Sequence, residues 1–134
     1  MPRYMLDTDT CSFVMKRRHP TLLHRLGELL TQDVCASVVT KAELLYGVAV
    51  SPNPERDGAA LDALLRYLAI ADLDEDTAVH YAEIRADLKR RGELIGANDL
   101  FIAAHARRLG LVLVTVNVRE FSRVSGLSVE NWAA

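Results

Sequence analysis

The sequence predicts an α/β fold: a central, mostly parallel sheet of about five strands with helices on both faces, in three layers. Two observations carry this. Short apolar runs of strand length alternate with longer stretches whose leucines recur at helical spacing, as in sheets built from crossover units. Four polar residues, Asp7, Glu43, Asp99 and Asn117, stand where a strand pattern ends or a helix pattern begins. In such a sheet these points gather at the carboxyl ends of the strands, where α/β folds place their sites.

Along the chain, Tyr4-Met5-Leu6 reads as a buried strand ending at Asp7. Thr8, Asp9, Thr10 and Ser12 offer capping oxygens for a helix running towards Arg18. Pro20 opens the next helix, with Leu22, Leu23, Leu26, Leu29 and Leu30 at helical spacing. Residues 34–38 form a second buried run. Thr40 then serves as N-cap with Glu43 completing a capping box, and this helix stops at the turn cluster Ser51-Pro52-Asn53-Pro54. Residues 52–58 read as the tip of a helical hairpin. Leu61, Leu64, Leu65 and Leu68 stripe the following helix, and Ala69-Ile70-Ala71 is a weak third strand. Asp74 or Asp76 caps a long helix carrying Tyr81, Ile84 and Leu88. Gly92 and Gly96 bracket a loop, Asn98-Asp99 opens a helix over 100–109, and Gly110 closes it. Residues 111–115 are the clearest strand, followed by Asn117; Leu127-Ser128-Val129 is a short edge strand with Trp132 over its end.

The 134 residues read as a single domain spanning 1–134, enough to bury a core without disulfides or a structural metal. No apolar stretch reaches the length of a membrane span, and the first residues lack the apolar segment of a signal peptide. Cys11 and Cys35 have no CxxC spacing, so reduced thiols in a cytoplasmic protein are expected. The four histidines, His19, His24, His80 and His105, show no zinc-site spacing with them. Sixteen Lys and Arg against 18 Asp and Glu give a net charge of −2, which argues against indiscriminate nucleic-acid binding. The basic clusters Lys16-Arg17-Arg18, Lys89-Arg90-Arg91 and Arg107-Arg108 suit helix C-termini. They gain a phosphate-tracking role only where they flank the acidic edge, as does Arg119.

Each acidic residue alone has a structural explanation as a cap or a helix-dipole partner. Gathered at one edge they repel each other and call for a cation. Three carboxylates and a carboxamide form a hard-oxygen set suited to Mg²⁺ or Mn²⁺. Phosphodiester hydrolysis needs a deprotonated water and a neutralised phosphate, both of which a divalent ion supplies. No histidine pair stands in its place, so activated water, not the ribose 2′-OH, is the expected attacking group.

The segments Met5-Leu6-Asp7-Thr8-Asp9-Thr10-Cys11, Thr40-Lys41-Ala42-Glu43-Leu44-Leu45-Tyr46-Gly47, Gly96-Ala97-Asn98-Asp99-Leu100-Phe101-Ile102-Ala103-Ala104-His105-Ala106 and Val114-Thr115-Val116-Asn117-Val118-Arg119-Glu120-Phe121 follow in that order. The ordered set resembles the motifs of the PIN-domain ribonucleases, in particular the VapC-type toxins of bacterial toxin–antitoxin pairs, over nearly the whole chain. The resemblance implies a PIN-like nuclease domain with Mg²⁺-dependent endoribonuclease activity (Mn²⁺ can substitute), held inactive by a cognate antitoxin. By position, Asp7, Glu43 and Asp99 match the family's acidic metal-binding residues and Asn117 its variable fourth position; Thr8 and Thr115 match hydroxyls lining the site. The resemblance further implies a toxin homodimer, a heterotetramer or larger complex with antitoxin, and an antitoxin groove between helices. A similar subgroup cuts initiator transfer RNA in its anticodon loop. The family commonly has Asn at the positions of Asp9 and Val116, so Asp9 is either an added oxygen ligand or a helix cap. Lys16, Arg17, Arg18 and Arg119 are candidate RNA-backbone contacts.

Two alternatives come from other classes. Asp7-x-Asp9 is similar to the haloacid-dehalogenase-type phosphatase motif, but Cys11 and Asn98-Asp99-Leu100 break that pattern. A catalytically inactive PIN-fold binding module would be expected to have lost some of the acidic trio, which is intact.

Overall fold

Alternate residues of the central strands face opposite ways, and this splits the interior into two cores. The structure, a computed structural model, describes residues 2–134. Met5, Cys35 and Leu113 face one core; Leu6, Ala36 and Val114 face the other. These residues belong to β1 (Tyr4–Leu6), β2 (Val34–Ser37) and β4 (Val112–Val114); β3 (Ala69–Ala71) and β5 (Ser128–Glu130) form the edges. The order is β3-β2-β1-β4-β5, and every pairing is parallel.

One face carries α1 (Thr8–Met15), α2 (Pro20–Gly27), α3 (Val38–Ala49) and α4 (Pro54–Tyr67). Cys11, Leu22, Leu26, Leu44, Leu61 and Leu64 pack there. The other carries α5 (Glu75–Arg90), α6 (Ala97–Leu109) and the short α7 (Val118–Phe121), packing Ile84, Leu88, Ile102 and Phe121. The three-layer α/β expectation therefore holds. So do the caps at Asp74, which accepts from the Thr77 N–H at 3.0 Å, and at Gly110, whose φ of 69° closes α6.

Three local readings are corrected. α3 starts two residues before the expected cap, because the Ser37 hydroxyl accepts from the Val39 N–H at 3.1 Å and ends the strand early. Thr40 is therefore a buried residue inside the helix, and Thr40 with Glu43 is not a capping box. The turn between α3 and α4 is shorter than expected, with Asn53 capping α4 through the Arg56 N–H and Gly58 already helical. α1 ends at Met15, short of Arg18.

The chain moves outward from β1 through β2 to β3, then crosses to β4 and β5 on the other side of β1. That reversal opens a crevice beyond the carboxyl ends of β1 and β4. Asp7 leaves one of these strands and Thr115 the other. Cys11 and Cys35 are buried free thiols. Burial pushes the Cys35 thiol up to about 11. No helix among the described residues is long and apolar enough to cross a membrane.

Candidate active site

Asp7 links β1 to α1 and is the N-cap of that helix. Its N–H donates to the Val114 carbonyl at 3.0 Å, which holds it beside β4. One carboxylate oxygen caps α1 by accepting from the Thr10 N–H at 2.9 Å; the other accepts from the Thr115 hydroxyl at 2.6 Å. The residue is 2% exposed, and burial raises its pKa against the pull of those hydrogen bonds. A carboxylate oxygen has two lone-pair sites, so both oxygens keep an acceptor position. The cap reading thus holds for Asp7 and not for Asp9. Exposed Asp9 instead accepts from the Asn117 side-chain amide at 2.9 Å.

Glu43 lies in the second turn of α3. Its Oε1 accepts from the Thr8 hydroxyl at 2.6 Å. Thr8 has one proton, committed to that carboxylate, so at the 3.1 Å contact between the threonine hydroxyls Thr40 is the donor. Asp99 sits in the first turn of α6, where the helix dipole favours an acid. Burial, then Asp7, Glu43, Glu120 and Asp9, push its pKa up to about 6. Glu43 and Asp99 line one hollow with Gly96, Ala97 and Asn98. Asn117 precedes α7, its N–H donating to the Thr115 hydroxyl oxygen at 2.9 Å.

The fold therefore brings Asp7, Glu43, Asp99 and Asp9 to one edge, with Thr8, Thr115 and Asn117 among them. None of these carboxylates is ion-paired among the described residues. Among the described residues no three His, Cys, Asp or Glu side chains stand close enough together to hold a metal ion by themselves.

Lys16 borders the groove that also carries Thr8, Asp9 and Glu43. Arg17 borders the adjoining groove between α1, α2 and α4. Arg18 and Arg119 are exposed, Arg119 on α7 next to the site. In the other basic clusters Arg91, Arg107 and Arg108 have structural partners, whereas Lys89 and Arg90 are exposed. Arg91 bonds Asp87, Glu93 and the Arg123 carbonyl; Arg107 bonds His80 and Glu83, and Arg108 pairs with Asp74 and Asp76. Two residues that the sequence did not mark as site residues border the site. Thr40 was hidden by its expected role as a cap. Glu120 lies on α7, a single turn too short to leave a periodic signal.

Residues 4–127 match the model of the PIN domain. Ribonuclease VapC2 of Haemophilus influenzae is 46% identical over 132 residues, 98% of this chain and 99% of that protein. The tRNA(fMet)-specific endonuclease VapC of Salmonella typhimurium is 41% identical over 132 residues, covering 98% and 99% of the two chains. In the crystal structure of DNA-bound VapBC from Salmonella typhimurium, the matching chain superposes with a TM-score of 0.92 at 41% identity, over 98% of this chain and 99% of that one. The VapBC2 complex from Rickettsia felis, bound to a DNA fragment from its promoter, gives 0.90 at 37% identity, over 96% and 98%.

Proposed function

We infer that this chain, which belongs to the PIN-domain family as a VapC-type ribonuclease, is the toxin of a toxin–antitoxin pair and cuts RNA with a divalent cation, Mg²⁺ or Mn²⁺. In this reading Asp7, Glu43 and Asp99 hold the ion and Asn117 assists. The observation that carries it is the carboxylate crowding at the β1–β4 crevice. Burial first, and then this crowding, raise Asp99 to about 6, and no cationic side chain among the described residues pairs with it. An all-oxygen donor set of this charge fits a hard divalent ion. Such an ion would supply charge neutralisation at the phosphate and a lowered pKa for an attacking water.

The chain's own groups do the positioning. Thr115 and the Thr10 N–H orient the Asp7 carboxylate, and Thr8, backed by Thr40, orients Glu43. Asp9 and Asn117 tie the ends of the two central strands together across the mouth. Asp9 thus acts as a brace in this reading, not as a further ligand.

Replacing Asp7 with Asn should lower cleavage by more than about a hundredfold, beyond the usual loss for an outer-shell partner, while thermal unfolding stays cooperative. Cleavage should stop in EDTA and return with Mg²⁺ or Mn²⁺; full activity in EDTA would sink the metal reading. Products should carry 5′-phosphate and 3′-hydroxyl ends, since 2′,3′-cyclic phosphate would mean attack by the 2′-OH.

For substrate, the Salmonella relative named for tRNA(fMet) supports initiator transfer RNA, and we place the cut in its anticodon loop. A recessed crevice admits an unstacked loop more readily than a duplex. Sequencing RNA 5′ ends after brief induction should give one dominant anticodon-loop cut; cuts scattered through messenger RNA would overturn the narrow substrate. The VapBC complexes among its structural relatives support a cognate antitoxin as partner. Most leucines of α2 and α4 are spent internally, with Leu22, Leu26, Leu61 and Leu64 buried, as is Leu68 just after α4. What remains is a groove lined by Val14, Met15, Leu23, Ala63 and Tyr67, where an apolar antitoxin segment would seat. From there an antitoxin arginine could reach the carboxylates. Copurification with a small protein encoded next to the toxin, in a complex holding a toxin dimer, is the expected outcome. A chain that is harmless alone and copurifies with nothing would count against it.

A further inference from the structure

His105 is wholly buried yet lies outside the carboxylate cluster. Its Nε2 is 3.1 Å from the Asp72 carbonyl and its Nδ1 is 2.8 Å from the Ser37 hydroxyl. A carbonyl only accepts, so Nε2 carries the proton. Burial lowers the pKa of the ring, and the neutral imidazole then accepts from Ser37 at Nδ1. The Ser37 oxygen in turn accepts from the Val39 N–H at 3.1 Å. Every donor in this relay has one acceptor: Val39 N–H to Ser37, Ser37 O–H to His105, His105 N–H to Asp72.

The relay joins three elements of the site edge. Ser37 ends β2 and caps α3, which carries Glu43. Asp72 follows β3, and His105 lies on α6, which carries Asp99 at its start. Glu43 and Asp99 line one hollow, so the spacing of α3 from α6 sets the distance between their carboxylates. The hydrogen bond between Ser37 and His105 crosses between those helices and ties them together. We propose that His105 is a positioning residue for the metal-binding carboxylates: through Ser37 it fixes the start of α3 against α6 and so sets the separation of Glu43 from Asp99.

This inference rests on the metal reading above, and Mn²⁺ binding to the full-length protein, read from the EPR signal of free Mn²⁺, tests both. Asn at position 105 places an acceptor near the position of Nδ1, whereas Gln reaches the position of Nε2 and leaves Ser37 without a partner. His105→Gln should weaken Mn²⁺ binding about tenfold or more, the range for outer-shell partners, and His105→Asn should stay close to wild type. Adding Ser37→Ala to His105→Gln should cost little more, since both remove the same link. If His105→Gln does not fold, Ser37→Ala against Ser37→Thr makes the same comparison, the threonine hydroxyl restoring the link. A merely structural histidine would lower the melting temperature in both variants and leave the Mn²⁺ affinity of the folded protein unchanged. That result, with wild type binding Mn²⁺, overturns this inference alone. A wild-type protein that binds no Mn²⁺ overturns the metal reading and this inference together.

Discussion

Asp99 holds its proton to about pH 6 in the folded chain against an ordinary value of 3.8, and this ties stability to pH. A carboxyl whose folded pKa is raised stabilises fully below its unfolded value, and that contribution is lost as pH rises through the folded one. Without metal, Asp99 therefore favours the fold at about pH 4 and ceases to by about pH 7. His105 works in the opposite sense, its lowered pKa making acid unfavourable below its ordinary 6.5. The comparison that isolates Asp99 is wild type against Asp99→Asn in EDTA. The variant should melt higher at neutral pH and lose much of the rise in melting temperature on acidification; identical pH slopes would refute the assignment. Thr115→Val makes a second residue-level case. It keeps shape but removes the 2.6 Å hydrogen bond to Asp7, so Mn²⁺ affinity should fall about 10-fold to 100-fold in a titration of the folded variant. The placement of Asp7 and Asp99 at this edge was legible in the sequence because each stands at an element junction. Glu43 was singled out by a capping pattern the structure does not form and lies in the second turn of α3. The Ser37–His105 contact was not legible, since partners 68 residues apart leave no spacing to read.

At the scale of elements, the junction between β2 and α3 shows where local patterns compete. Val38 and Val39 are β-branched and favour extending the strand, and Thr40 with Glu43 imitates a capping box. Ser37 satisfies the Val39 N–H first, so the helix begins there and turns Thr40 inward to Thr8. Sequence patterns locate such a helix well and its first residue poorly. Helix ends also separate two glycines that look alike in sequence. Gly110 holds φ 69°, a conformation that costs other residues about 1 kcal/mol or more, so Gly110→Ala should destabilise by about that amount. Gly27, at the end of α2, has no positive φ and open space where a Cβ would lie. There Ala should stabilise by about 0.5 kcal/mol by restricting the unfolded chain. Denaturant titrations of the two variants should therefore shift in opposite directions, with RNA cleavage unchanged in both.

Across the whole molecule, parallel topology gathers functional groups that the chain scatters over more than a hundred residues, Asp7 and Asn117 among them. It also sorts the basic residues, which composition could not do. The net charge of −2 leaves little general attraction for RNA, so binding must rest on the few cations not already committed. Lys16 borders the groove with Thr8, Asp9 and Glu43, and Arg119 stands beside Asn117 on α7. Arg91, from an equally basic stretch, is occupied by Asp87, Glu93 and the Arg123 carbonyl. Each phosphate contact to a single strand adds about 0.7 to the slope of log affinity against log salt. In an Asp7→Asn background, where RNA binds without being cut, Lys16→Ala and Arg119→Ala should each flatten that slope by about 0.7 and weaken different RNA sequences alike. Arg91→Ala should leave the slope unchanged and act on stability instead. Should Arg91→Ala flatten the slope and Lys16→Ala not, RNA would approach over α5 and the loop before α6, away from the groove that leads to Glu43.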